Sequence, residues 1–261
     1  MARFYPLFSS SSGNCSFVGD ERGGILIDAG VSRKRICDAL RYNGIEPEAV
    51  KAVFVTHTHS DHIGGLGAFV SKYRCKVYAQ EANLRELFDS GKLKPGFEAV
   101  PLENGTADLG IMAVTHFATS HDCPASCGFV IDHEDGKRSA LCTDLGVMTD
   151  TVRQAITGCD MILLESNYDI RMLRNGPYPY PVVERILSSV GHLSNDDCSE
   201  TLSMLIRSGT KHFVLGHISR NSNLPRLVRE SALKGLAGFE ENYDYRLIIA
   251  EPECYTRAVI F

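Results

Sequence analysis

The chain has 261 residues, 44% of them hydrophobic and 23% charged, a composition that supports a sizeable buried core and excludes fibrous or disordered architectures. A formal charge of −5 offers no global attraction to a polyanion, and no apolar run approaches membrane-spanning length. Nine cysteines, an odd count scattered through apolar segments (Cys37, Cys75, Cys142, Cys159), do not read as a disulfide framework and fit a reducing compartment.

In chain order, strands are expected at Phe4–Phe8, Cys15–Val18 and Gly24–Asp28. A helix at Ser32–Tyr42, a strand at Ala52–Thr56, a helix at His62–Tyr73, a strand at Lys76–Ala79 and a helix at Glu81–Asp89 follow. Strands at Ile111–Thr115, Cys127–Asp132 and Arg138–Thr143 then precede a helix at Thr149–Ile156 and a strand at Met161–Glu165. Helices at Pro181–Val190 and Asn195–Arg207, a strand at His212–Gly216, a helix at Leu224–Leu236 and strands at Arg246–Ala250 and Tyr255–Phe261 complete the pattern.

Neither a low-complexity linker nor an internal repeat interrupts this alternation, so residues 1–261 are expected to form one α/β domain. The amino end lacks a basic stretch leading into a long apolar segment, and the protein is expected to be unexported and cytoplasmic. Continuous apolar strands such as Ala52-Val53-Phe54-Val55 and Met161-Ile162-Leu163-Leu164 predict sheets covered on both faces. With this many strands, that implies two sheets between helical layers. Each such strand ends in chemically capable residues: Thr56-His57, Thr143-Asp144, Glu165-Ser166 and Gly216-His217. Sites in layered α/β folds form at strand carboxyl ends, so these distant segments are expected to converge.

The run His57-Thr58-His59-Ser60-Asp61-His62 follows a buried strand. His57, His59 and Asp61 alternate and would face one side of an extended turn, while His62 lies where a helix begins. One ion could take His57 and His59 and a second Asp61 and His62, because imidazole and carboxylate suit zinc, manganese or iron. The alternative is a histidine-rich surface loop.

This His-x-His-x-Asp-His run resembles the signature of the metallo-β-lactamase superfamily, and companion motifs follow in order over nearly the whole chain. The resemblance implies a four-layer αββα sandwich and two divalent ions. His57, His59 and His121 would hold the first, Asp61, His62 and His217 the second, and Asp144 would bridge them. Asp28, in Asp28-Ala29-Gly30, resembles the early carboxylate that supports the ligand loop, although a capped turn before the Ser32 helix fits equally well. His116 rivals His121 as third histidine; His121 is preferred because Ser120-His121-Asp122 followed by Gly128-Phe129 resembles nuclease and phosphodiesterase branches. Packed core histidines are expected at His116, His133 and His212.

Three features narrow the branch. Ser120-His121-Asp122 differs from the run expected in glyoxalase II-like thioesterases. Only about seventy residues separate Asp144 from His217, too few for the extra domain of the β-CASP nucleases. The segments Ser9–Asn14, Glu165-Ser166-Asn167 and Gly191-His192-Leu193-Ser194-Asn195 resemble the bacterial YycJ (WalJ) family, from which Tyr168 departs where histidine is expected. That family implies a phosphodiesterase acting on DNA, with exonuclease cleavage from a 5′ end and no organic cofactor.

For a phosphodiester, two ions neutralise the non-bridging oxygens and generate a shared hydroxide near neutral pH. Asp61 would orient that nucleophile or take its proton. His192 is the candidate acid for the leaving alkoxide by resemblance, against a plain loop position before the Ser194 or Asn195 cap. Glu165 is expected to support the ligands from behind. Ser12, Gly13 and Asn14 could receive phosphate oxygens or form an ordinary turn, and Arg220 with Asn221 could contact a phosphate. Arg171, Arg174 and Arg185 read first as a solvated basic rim, and Tyr178 and Tyr180 as a packed connection that could instead stack on a splayed base. A small ester, lactone, thioester or cyclic phosphate on the same metals is the alternative substrate class, and a non-catalytic binding module the third. Oligomeric state is not legible.

Overall fold

The computed structural model describes residues 1–102, 105–253 and 258–261. One seven-stranded sheet contains β1 (Arg3–Ser10), β2 (Gly13–Asp20), β3 (Gly23–Ile27), β4 (Val50–Phe54), β5 (Lys76–Ala79) and β6 (Ala99–Pro101) in that order, with the last strand of the chain against β1. The second contains β7 (Thr106–Asp108), β8 (Met112–Ala118), β9 (Cys127–His133), β10 (Arg138–Cys142), β11 (Met161–Glu165), β12 (His212–Gly216) and β13 (Arg246–Ile249). β14 (Val259–Ile260) is that last strand; the expected Tyr255–Phe261 strand is seen only there, because residues 254–257 lie outside the described residues.

Alternation along the strands explains the layers. Ile25, Ile27, Ala52 and Phe54 of the first sheet meet Phe129, Met161, Leu163 and Val214 of the second in a core between the sheets. Phe54 stacks on Tyr78 at 4.6 Å and meets Phe129 edge-on at 5.6 Å, tying the sheets together. The intervening residues Leu26, Val53 and Val55 face outward to α1 (Arg33–Tyr42) and its neighbours. Ile162, Leu164, Phe213 and Leu215 likewise face a third core beneath the helices of the other side. The result is the αββα sandwich, helices outside two face-to-face sheets.

Several boundaries differ from expectation. The continuous helix over His62–Tyr73 is two pieces, α2 (Ser60–Ile63) and α3 (Leu66–Tyr73), parted at Gly64-Gly65. Gly65 N–H donates to the Ala29 carbonyl at 2.7 Å, and a Cβ there would strike the Val31 carbonyl oxygen, so the glycine pair lets the chain leave the helix and pack on the Ala29–Val31 turn. Ser9–Asn14 is no open loop: Ser9 and Ser10 end β1, Gly13 and Asn14 begin β2, and only Ser11 and Ser12 turn. The short strands β6 and β7 were not expected. In later order come α4 (Glu81–Asp89), α5 (Asp150–Ile156), α6 (Ile170–Arg174), which was also unexpected, α7 (Tyr180–Leu187), α8 (Asn195–Arg207) and α9 (Pro225–Gly235). Strands of three residues and helices of five carry too few periods to show in a pattern.

Candidate metal centre

β3 and β4 run parallel, as do β10, β11 and β12, and β8 shares the direction of β10 because both are antiparallel to β9. Their carboxyl ends therefore deliver Asp28, His57, Asp144, Glu165, His217 and His121 to one edge. Asp28, Asp144 and His217 adopt φ of 61°, 58° and 54°. Left-handed backbone is uncommon outside glycine and costs on the order of 1–3 kcal/mol per residue, so the surrounding fold holds these three turns in place.

The ligand-type atoms fall into overlapping groups, each within 4.8 Å: His57, His59 and His121; Asp61, His62 and His217; His57, His62 and Asp144; and Asp144, Glu165, His192 and His217. Asp144 spans the two sides. Its Oδ2 lies 3.3 Å from His62 Nε2, while its Oδ1 lies 3.5 Å from His217 Nε2 and 3.8 Å from His121 Nε2. His57 Nε2, Asp144 Oδ2 and His217 Nε2 are buried and make no hydrogen bond. Unpaired buried polar atoms are costly; Asp144 shares one ligand group with His57 and another with His217, and divalent cations held at those groups would give these atoms their partners.

Supporting bonds set the imidazole tautomers. Asp28 takes the Thr56 N–H at 2.9 Å and the Thr56 hydroxyl at 2.8 Å, and its Oδ2 accepts His62 Nδ1–H at 2.7 Å, which turns His62 Nε2 toward the cluster. His57 Nδ1 meets the Thr56 hydroxyl at 3.0 Å, and His121 Nδ1–H donates to the Gly191 carbonyl at 3.1 Å. Glu165, fully buried, accepts His217 Nδ1–H at 2.6 Å and His192 Nδ1–H at 2.9 Å through Oε1, and the Leu145 and Leu193 N–H groups through Oε2. Carboxylate–imidazole pairs of this kind fix ring orientation at metal sites.

The two sides differ in charge. Burial, reinforced by neighbouring imidazoles, holds His57 well below the usual histidine range, and burial lowers His121. Burial also disfavours charge on His62 and His217, yet Asp144 and the other carboxylates outweigh it, raising His62 to about 9 and His217 well above its ordinary value. Burial would raise Asp61, Asp144 and Glu165, but the facing imidazoles prevail and all three are lowered.

A family model described as the metallo-beta-lactamase superfamily matches residues 10–217. The chain belongs to that superfamily. Its relatives include exodeoxyribonuclease YycJ of Bacillus anthracis, 33% identical over 257 residues covering 97% of each chain. Exodeoxyribonuclease WalJ of Streptococcus pneumoniae serotype 2 is 32% identical over 97% of this chain and 96% of its own. Among solved structures, the metallo-beta-lactamase fold protein YhfI of Bacillus subtilis superposes with a TM-score of 0.72 at 13% identity, covering 100% of both chains, which speaks to fold alone. Superfamily membership, these relatives and the His/Asp cluster make the chain a metallohydrolase.

The remaining expected residues of this metallohydrolase fall in two places. Asn14 is buried inside the cluster, its Nδ2 3.2 Å from Asp61 Oδ2 and 3.0 Å from His62 Nε2, while Gly13 is pressed against Val31 and Ser12 stands exposed at the hairpin tip. Arg220 is exposed on the His217 side, and Asn221 donates to the Tyr178 hydroxyl at 3.1 Å. His116, His133 and His212 join no ligand group among the described residues.

Two positions escaped sequence reasoning. Ser9 Oγ accepts the His217 N–H at 2.8 Å, and Asn167 Nδ2 donates to the His217 carbonyl at 2.8 Å, bracing its left-handed turn. The Glu165-Ser166-Asn167 segment drew notice, but nothing local showed what Asn167 touches. Among the described residues no helix is long and apolar enough to cross a membrane.

Proposed function

We propose that this metallohydrolase is a DNA exonuclease, working from the 5′ end, in which His57, His59 and His121 hold one divalent ion, Asp61, His62 and His217 the other, and Asp144 both. The observation that carries the reading is the position of Asp144, with one carboxylate oxygen toward His62 and the other toward His217 and His121. The names of the two relatives matched end to end support DNA as substrate and an exonucleolytic mode. Histidine and carboxylate donors suit zinc or manganese, and iron as well. When bound, such a pair neutralises the phosphate's non-bridging oxygens and supplies a nucleophile near neutral pH.

The chain's own residues do the rest. Asn14 and the imidazoles around Asp61 keep it ionised, which favours orienting an attacking water over storing its proton. Glu165 Oε1 accepts His192 Nδ1–H and so orients the ring with Nε2 available as the proton donor to the departing alkoxide. The eight described cysteines are all free, which supports a cytoplasmic setting for a one-domain enzyme.

Digestion of end-labelled single- and double-stranded DNA by metal-stripped protein resupplied with manganese or zinc tests this reading. Release of 5′ nucleotides is expected, and Asp144→Asn, which tolerates the left-handed backbone, should lower it at least about a thousandfold. Cleavage of small esters or cyclic phosphates with none of DNA would replace the nuclease reading.

A further inference from the structure

Outside the ligand groups, Arg185 reaches the edge of the cluster. Arg185 Nε on α7 donates to Asp122 Oδ2 at 2.5 Å, and the other oxygen of Asp122 lies 3.4 Å from His121 Nε2 and 3.8 Å from His59 Nε2. The guanidinium thus stands one carboxylate away from the histidine group. We propose that Arg185 is a phosphate-binding residue, parked on Asp122 in the free protein, that takes a phosphate of the strand next to the scissile one. The inference rests on the nuclease reading and adds a determinant of how the strand lies.

Three observations support it. Among the described residues only Nε is engaged, so the terminal amino groups of the guanidinium remain to make a bidentate contact with phosphate oxygens, for which its planar fork is suited. The Arg185 side chain is 46% exposed, and an ion pair that open to water contributes little to stability, so it is a weak cross-link and easily released. α7 is nonetheless held firmly. Ile186 packs with Tyr168 and Leu173 in an apolar cluster of its own, backed by Tyr178, Val182 and Val183. The Tyr178 hydroxyl bonds Asn221, so the segment spans the mouth from the His217 side to the His121 side.

The surroundings give such a cation work to do. Asp28, Asp61, Asp122, Asp144 and Glu165 line the cluster of a protein with 27 basic against 32 acidic residues, a poor field for a polyanion away from the ions. Arg220, three residues after His217, is exposed as well.

Binding of manganese-loaded protein to a short phosphorothioate single strand, which resists hydrolysis, tests the inference by fluorescence anisotropy over a salt series. Arg185→Gln keeps an N–H for Asp122 and a helix-compatible side chain but removes the charge. Affinity should fall about tenfold and the slope of log K against log salt should lose about 0.7, one phosphate contact on a single strand. Arg185→Lys should retain the slope while losing affinity. Arg22→Gln, whose guanidinium pairs with Asp20 and Glu134 at the other end of the strands, serves as control and should change neither. Wild-type slope and affinity in folded Arg185→Gln, or an equal loss in Arg22→Gln, would overturn the assignment of Arg185 alone; failure of the wild-type protein to bind DNA at all would remove the nuclease reading and this inference with it.

Discussion

Glu165 and His217, 52 residues apart in sequence, meet at 2.6 Å through Oε1 and Nδ1–H. The same oxygen holds His192, so one buried carboxylate orients both a proposed ligand and the proposed proton donor. Glu165→Gln keeps the shape but offers an amide where an ionised acceptor stood. Metal affinity is expected to fall about 10- to 100-fold, with the fold retained. Chelator competition against the variant and the wild type reads this directly, and unchanged affinity would remove Glu165 from the ligand support.

His192→Ala separates proton donation from metal binding. With a poor leaving group such as a DNA alkoxide, kcat should drop about 10²- to 10⁴-fold. A p-nitrophenyl diester needs no such acid, so its turnover should change by far less, and metal content should stay at the wild-type level. Equal losses on both substrates would assign His192 to the loop's structure instead.

The raised imidazoles make metal uptake depend on pH. In the metal-free protein Asp144, Asp28 and Asp61 hold His62 protonated up to about 9, and His217 is raised as well. A metal must displace those protons, so apparent affinity should climb as pH rises from 6.5 toward 9 and level off above it. Titration calorimetry at pH 7 in buffers of different ionisation enthalpy should show net proton release. The sign follows for stability too: a raised histidine stabilises the metal-free fold fully below its unfolded pKa of about 6.5, and that contribution fades as pH passes through 9.

Gly30 lies against the Asp61 carbonyl oxygen and the Asn14 amide, and a Cβ there would overlap both. Gly30→Ala should therefore cost about 1–3 kcal/mol and displace the Asp61 turn, lowering the melting temperature by several degrees together with metal affinity. Thermal melts with and without added manganese distinguish the two effects: a variant that melts and loads as wild type does would show that the turn can give way.

Much of this was legible in the sequence by itself. The run from His57 to His62 is local, and strands such as Ala52–Val55 and Met161–Leu164 alternate between two cores, so fold class, layers and the edge at which ligands gather follow from short-range pattern. Contacts between distant segments were decided only by the tertiary structure. It turned Asn14 from a loop residue into a neighbour of Asp61 and His62, split the helix at Gly64-Gly65, and brought Arg185 to Asp122 across 63 residues. The physical reason is that periodicity reports which face of an element is buried, whereas the partner of a polar side chain depends on which other strand end or helix the packed sheets bring within about 3 Å of it.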